Sequence, residues 1–561
     1  MGDLTTGGSQ LSTASGDFAA TINKARGPSA RDQRGKGPRP AGRRTAWMAM
    51  LLVAGALVLV GVGAVLAARA AQRPPQPELQ AGNVPLNKEA GDPDAFASHN
   101  SPVVARNPTD AANVVVANRT DNPDFGCALH VSFDAAASFT PSAVPVPNAE
   151  ESKCFAPDVA FGPEGKLYVL FATLRGEGNR PHAVWLSTSS DGGETLSEPT
   201  RVLGKLSFQV DLAVDPQQPG SVYLTWLDAE DTSTLAFPDT GYPVRFMSSR
   251  DSGQTWSTPS VVNDQDRQRV VAPRAVVGPE GALQVVYVDL GADRLDWAGA
   301  HQGRGGPPYE GQWELVAARS DDAGATWQET SVDTLRPPKR VVVFLPEFPA
   351  LAVDRDRGRL YAAYHARVAG DADVWLWRSD DGGATWDGPT RVNDTSPDDG
   401  TAQYLPQLDV ASTGRLDAIY YDRRADADNV ANEVSLASSN DGGATFSQRL
   451  VLSDQPFDSR VGLGNVGMAD LGSRLGLLST SDRALAVWAD TRHGTLASEK
   501  QDLVRQTVAF VGPDVPARWM QAPLRYGGGT VAAAGGLLGC GAVVAAWRRR
   551  RRDELASPVS S

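Results

Sequence analysis

Ser379-Asp-Asp381-Gly-Gly-Ala-Thr385-Trp386 is one of six copies of a single octapeptide in this 561-residue chain. The others start at Ser132, Ser189, Ser249, Ser320 and Ser439 and carry their aspartates at Asp134, Asp191, Asp251, Asp322 and Asp441. Counted Asp to Asp, the intervals are 57, 60, 71, 59 and 60 residues. A fixed period of this size marks a solenoid or a propeller. The octapeptide itself reads as a tight turn. Ser and Asp bond within it, Gly takes positive φ at no steric cost, and the closing Trp or Phe returns to the apolar side to anchor one repeat on the next. Five copies are near-perfect; the copy at Asp134 has Ala136 for Gly and Ser138 for Thr.

The flanks read as short β-strands. In the second repeat, Asp158 to Phe161 and Leu167 to Phe171 enclose the turn Gly162-Pro-Glu-Gly165; Ala183 to Ser187 leads into the octapeptide and Thr200 to Leu203 leaves it. The same order recurs from Ala275 to Val288, Leu351 to Tyr364 and Leu408 to Tyr421. Short runs rich in Val, Leu, Tyr and Trp suit strands, and no long helical period competes with them. Each repeat is therefore expected to be a sheet of four antiparallel strands.

The pattern Ser-x-Asp-x-Gly-x-Thr-Trp resembles the Asp box of sialidase-like (BNR-repeat) β-propellers, over residues 100 to 510 or so. The resemblance implies an all-β propeller, expected at 100–512. A seventh unit without a box follows in Leu475 to Leu478, Ala484 to Trp488 and Leu503 to Phe510. It lacks one strand, which Val84 to Asn87 is placed to supply, closing the ring and removing exposed edges. Seven blades are favoured; six, as in the sialidases, is the alternative.

The ends place the propeller. Ala46 to Ala68 is a run of 23 uncharged apolar or small residues, about 35 Å as a helix against a bilayer core of about 30 Å. A basic, polar leader (1–45) precedes it, read as disordered and cytoplasmic. A second, Gly/Ala-rich candidate span (527–547) runs into Arg548 to Arg552 and a basic tail (548–561). The positive-inside rule puts both termini in the cytoplasm and the propeller outside the cell membrane, with linkers at 69–99 and 513–526. A signal peptide cleaved at Ala68-Arg-Ala70 is the alternative reading of the first span.

Charge agrees. Residues 1–73 carry a net +7 and 520–561 a net +4, so the total of −13 leaves −24 on the body. Such a body repels nucleic acid. Cys127 and Cys154, the two cysteines of the extracytoplasmic part, are expected to pair; Cys540 lies inside the second span. The six histidines are scattered and suggest no zinc site. No cofactor is expected, with structural Ca²⁺ at acidic pairs such as Asp321-Asp322 and Asp380-Asp381 as the one open alternative.

Function is expected opposite the boxes. Turns between strands 1–2 and 3–4 of a blade lie on one face and are short here. The other connections are long: Arg175 to His182, Asp228 to Pro243, Gly291 to Trp313, Asp333 to Pro349, Asp394 to Pro406 and Asp422 to Asn432. Long loops on a rigid scaffold carry binding. Gly291 to Trp313 holds Trp297, His301, Arg304 and Tyr309, aromatics and a cation suited to stacking on a sugar or gripping a peptide. Sialidases, by the resemblance, use three Arg on the substrate carboxylate, a Tyr-Glu nucleophile pair and an Asp acid/base. The Phe-Arg-Ile-Pro-like motif is absent, with Val104-Ala-Arg106 the nearest substitute, and the candidates for catalysis are Arg274, Glu347 and Tyr404. Asp422-Arg-Arg424 and Asp490-Thr-Arg492 recur at one blade position and read as structural ion pairs. Three functions fit: a glycan- or protein-binding propeller on the membrane, an exo-glycosidase of sialidase type with a divergent site, and an envelope assembly scaffold.

Overall fold

The computed structural model describes residues 75–89, 96–122, 124–176, 180–229, 242–293, 309–337, 347–367, 371–397, 399–461 and 471–512. These form seven antiparallel sheets of four main strands each. The inner strands are His99–Arg106, Lys153–Phe161, Ser207–Val214, Val270–Val277, Ala350–Asp354, Gln403–Val410 and Gly476–Ser479. Each touches the next, and the last touches the first, so the sheets are blades 1 to 7 of a closed ring. The six-bladed alternative is thereby excluded. Both candidate spans, 46–68 and 527–547, lie outside the described residues; among the described residues no helix is long and apolar enough to cross a membrane.

Blades 1 to 6 are meanders that run outward in chain order. Blade 7 is assembled from both ends of the domain. Its first three strands are Gly476–Ser479, Arg483–Asp490 and Asp502–Val511, and its outermost strand is Gln76–Pro85. The closing strand thus starts earlier than Val84 to Asn87. Only Val84 and Pro85 of that expected segment pair, with Arg505 and Val504. Leu86 and Asn87 turn into a short helix, α1 (Leu86–Glu89). There Leu86 is fully buried, and Asn87 Nδ2 donates to Asp502 Oδ1 at 3.0 Å.

Every box folds the same way, the degenerate one included. The Ser Oγ donates to the Asp Oδ1 at 2.6–2.8 Å. The Thr (or Ser138) Oγ donates to the Asp Oδ2 at 2.5–2.6 Å. Donated hydrogen bonds stabilise a carboxylate, so Asp134, Asp191, Asp251 and Asp322 are held down at about 2. Thr255 and Thr326 dominate in Asp251 and Asp322, and Ser138 in Asp134. In Asp191 the Ser189 and Thr195 bonds outweigh the opposing effect of burial. The box aromatic and the second box glycine reach the preceding blade. Trp327 of blade 4 meets Phe246 of blade 3 edge-on at 5.1 Å, and Gly324 lies against the same ring. Because both faces of each sheet are covered by neighbours, middle strands such as Leu167–Arg175 are buried almost throughout. Cys127, on the third strand of blade 1, is bonded to Cys154, on the inner strand of blade 2, with Cα atoms 5.4 Å apart.

Candidate functional site at the long-loop face

The inner strands share a device that aims side chains at the axis. In blades 1, 2, 3, 4 and 6 the ladder to the second strand slips, at Asn100/Val103, Phe155/Asp158, Phe208/Asp211, Val271/Arg274 and Tyr404/Gln407. A non-glycine residue with positive φ sits inside each slip: Ser101, Ala156, Gln209, Ala272 and Leu405. Gly472, also at positive φ, precedes Arg474 of blade 7 by the same spacing. Bulges of this kind re-aim the residues that follow them. All lie near the starts of the inner strands, hence towards the long-loop face.

Four of the re-aimed residues form an ionic floor. Arg274 Nε lies 3.3 Å from Asp211 Oδ1, and Arg474 Nη1 lies 3.1 Å from Asp158 Oδ2. Arg474 departs from blade 7 yet also donates to Val210 O of blade 3 at 3.4 Å and sits 4.8 Å over the Phe348 ring before blade 5. It therefore reaches across the axis to the blades opposite. Burial pushes the Asp211 carboxyl up to about 6 against the pull of Arg274. Deeper in the ring Asp409 is raised to about 7, again by burial.

A wall stands beside this floor, between blades 5 and 6. His365 Nε2 is 3.4 Å from Glu347 Oε2. Burial drives the imidazole down to about 3, so it is neutral and donates to the carboxylate. Tyr364 stacks on His365 at 4.8 Å, and Tyr404 meets it edge-on at 6.4 Å. Among the described residues, His365 Nδ1 and the Tyr364 hydroxyl have no hydrogen-bond partner. Tyr404 is fully buried; its hydroxyl donates to Asn432 Oδ1 at 2.9 Å and accepts from Arg423 Nη2 at 3.3 Å. Burial raises its pKa, with Arg423 opposing.

Of the three residues singled out for catalysis, Glu347 and Tyr404 flank one histidine, whereas Arg274 belongs to the floor and is tied to Asp211. Tyr404 in this arrangement presents no oxygen to solvent. Arg106 ends its inner strand at the box end, far from the floor's level. Trp297, His301 and Arg304 lie outside the described residues; Tyr309 is partly buried against the core shared by blades 3 to 5. The Asp-x-Arg pairs close on themselves, Asp422 to Arg424 at 2.8 Å and Asp490 to Arg492 at 2.6 Å, and each Arg also meets a carboxylate after the preceding blade, Asp394 or Asp454. Among the described residues no group of three or more metal-ligating side chains occurs. Asp321 pairs with Arg319, and Asp380 with Arg359 and Arg378. Sequence reading missed His365, Arg423, Asp158, Asp211 and Arg474. The signal for the last three was the repeated step one residue after Ala156-Pro, Gln209-Val, Ala272-Pro and Gly472-Ser.

Residues 239–467 match the model of the BNR repeat-like domain family. No protein of curated function matches the chain. Among solved structures, the Hadza microbial sialidase Hz136 is 14% identical, aligning 71% of this chain with 74% of that one at a TM-score of 0.42. An alpha-L-arabinanase of Penicillium chrysogenum, complexed with arabinobiose, is 12% identical over 77% and 98% of the two chains at 0.41. A protein of unknown function from Dyadobacter fermentans is 14% identical over 77% and 99% at 0.43. Residues 239–467 are thus similar to the BNR repeat-like domain, and the ring that contains them is a seven-bladed β-propeller with an Asp-box turn in six of its blades.

Proposed function

We propose that this chain is a membrane-tethered, extracytoplasmic propeller that binds a glycan or a protein through its long-loop face. The observation that carries binding rather than turnover is the state of Tyr404: its hydroxyl is buried and already engaged by Asn432 and Arg423. The floor arginines are likewise committed to Asp158 and Asp211, which leaves recognition to the loops above. The acidic body argues against nucleic acid as ligand. A second reading, an exo-glycosidase with a divergent site, is favoured by the placement of Glu347 and Tyr404 around His365.

The test is an assay of the full chain in detergent against aryl glycosides, sialosides included, over pH 4–8, beside a glycan array. The expected result is no turnover, with array binding weakened by Trp297→Ala. Turnover in the native chain that disappears in Tyr404→Phe would replace the binding reading by the glycosidase.

A further inference from the structure

Both ends of the propeller leave it at one place. Gln76 is paired with Val511 in the outer ladder of blade 7, so residues 75 and 512 emerge side by side. In blades 1 to 6 the third strand ends on the serine that opens the Asp box: Ser132, Ser189, Ser249, Ser320, Ser379 and Ser439. Asp502–Val511 is the third strand of blade 7, and its end therefore lies on the box face too. Pro75 agrees with this, since it lines a cavity of ≈ 400 Å³ together with Asp441 and Gly442 of the sixth box and with Arg357 and Gly414 of the adjoining short turns.

The chain beyond these exits is short before it turns apolar. Ala68 ends the first uncharged run and Gly527 starts the second. At roughly 3.5 Å per residue, the tethers reach at most about 25 Å from 68 to 75 and about 50 Å from 512 to 527. A strand of eight residues is itself about 27 Å long. The first tether is too short to climb a blade and still round its edge. We propose that the Asp-box face is the bilayer-facing surface, meeting lipid headgroups, and that the long-loop face with its ionic floor and polar wall is turned away from the membrane. This rests on the tethered reading above. The face itself mixes charges, with Lys166, Arg357 and Arg483 beside Asp110, Glu164 and Asp482, so tether length and not adsorption sets the height.

The experiment uses the full chain with Cys540→Ala, reconstituted into phosphatidylethanolamine–phosphatidylglycerol liposomes carrying a lipid-linked acceptor dye. A donor dye is attached through Gln254→Cys or Ala325→Cys on exposed box positions, or through Asp428→Cys or Leu496→Cys on the opposite face. Flotation with the liposomes, and energy transfer several-fold stronger from positions 254 and 325 than from 428 and 496, is the expected result. Equal or reversed transfer in protein that floats overturns the orientation while the tethers stand. Protein that stays behind when the liposomes float overturns the tethers, and the orientation with them.

Discussion

Replacing Gly324 by alanine probes how one blade is registered against the next. The glycine has φ +87°, and a Cβ there would lie 2.0 Å from Cε1 and 2.4 Å from Cδ1 of Phe246. That ring has little room to retreat, being 2% exposed and held by Trp327 at 5.1 Å and Tyr223 at 5.9 Å. Two costs combine. The left-handed backbone costs about 1–2 kcal/mol with a Cβ, and overpacking a filled interface costs about 1–3 kcal/mol. Gly358→Ala isolates the first cost, because Gly358 has φ +68° and nothing within 4 Å of its added Cβ. In urea denaturation followed by tryptophan fluorescence, Gly324→Ala is expected to lose about 1–3 kcal/mol more than Gly358→Ala. Phe246→Leu should recover part of that difference. Equal losses in the two variants would refute the argument that the second box glycine is a packing residue, leaving φ as its whole purpose.

Four further outcomes follow from the same geometry. Asp211 and Asp409 have folded pKa values of about 6 and about 7, above the carboxylate value of 3.8. The folded state thus holds more protons than the unfolded one, and this contribution is fully present below about pH 4 and lost as pH rises through 6 and 7. Asp409→Asn should flatten the fall of melting temperature between pH 4 and 7. The box aspartates act oppositely: held at about 2, they contribute above 3.8 and lose that contribution as pH falls towards 2, so melting temperature should drop steeply below pH 4. Reducing the Cys127–Cys154 bond, which closes a loop of 27 residues, is expected to cost about 3.5 kcal/mol by loop entropy, read as a lower urea midpoint in reductant that Cys127→Ala/Cys154→Ala reproduces. Arg415 is buried with Asp417 at 2.8 Å and donates to the carbonyls of Thr480 and Arg483. Arg415→Met, leaving a buried charge without its guanidinium, should cost about 3–5 kcal/mol in the same assay.

What could be read beforehand divides along physical lines. The boxes encode their own geometry in side-chain hydrogen bonds between residues two to four apart, and so the period, the strands around it and the box face were legible. Even Ala136 is accommodated, because Ser132 and Ser138 supply the bonds that matter. The closing strand was half-legible. Gln76–Pro85 is polar, contains two prolines and pairs on one side, so nothing in its pattern separates it from a linker. The floor was harder. Asp158, Asp211, Arg274 and Arg474 lie in four different blades and meet only because a bulge recurs, and its sequence mark, a two-residue step of varied composition before each of them, does not say that they converge. His365 reads as a lone histidine in an apolar strand until Glu347, 18 residues earlier, is brought against it.

The pairing of Gln76 with Val511 also has a consequence in time. The first strand of the ring to leave the ribosome is the last to find its partner, because Asp502–Val511 is made more than 400 residues later. At about 5–20 residues per second, that interval is roughly 20–85 s. Throughout it, blades 1 to 6 can form one after another on local pairings while the seam stays open. Release of a finished molecule is then governed by when that seam shuts, which makes nascent chains stalled short of residue 502 the species that a chaperone or a protease has to judge.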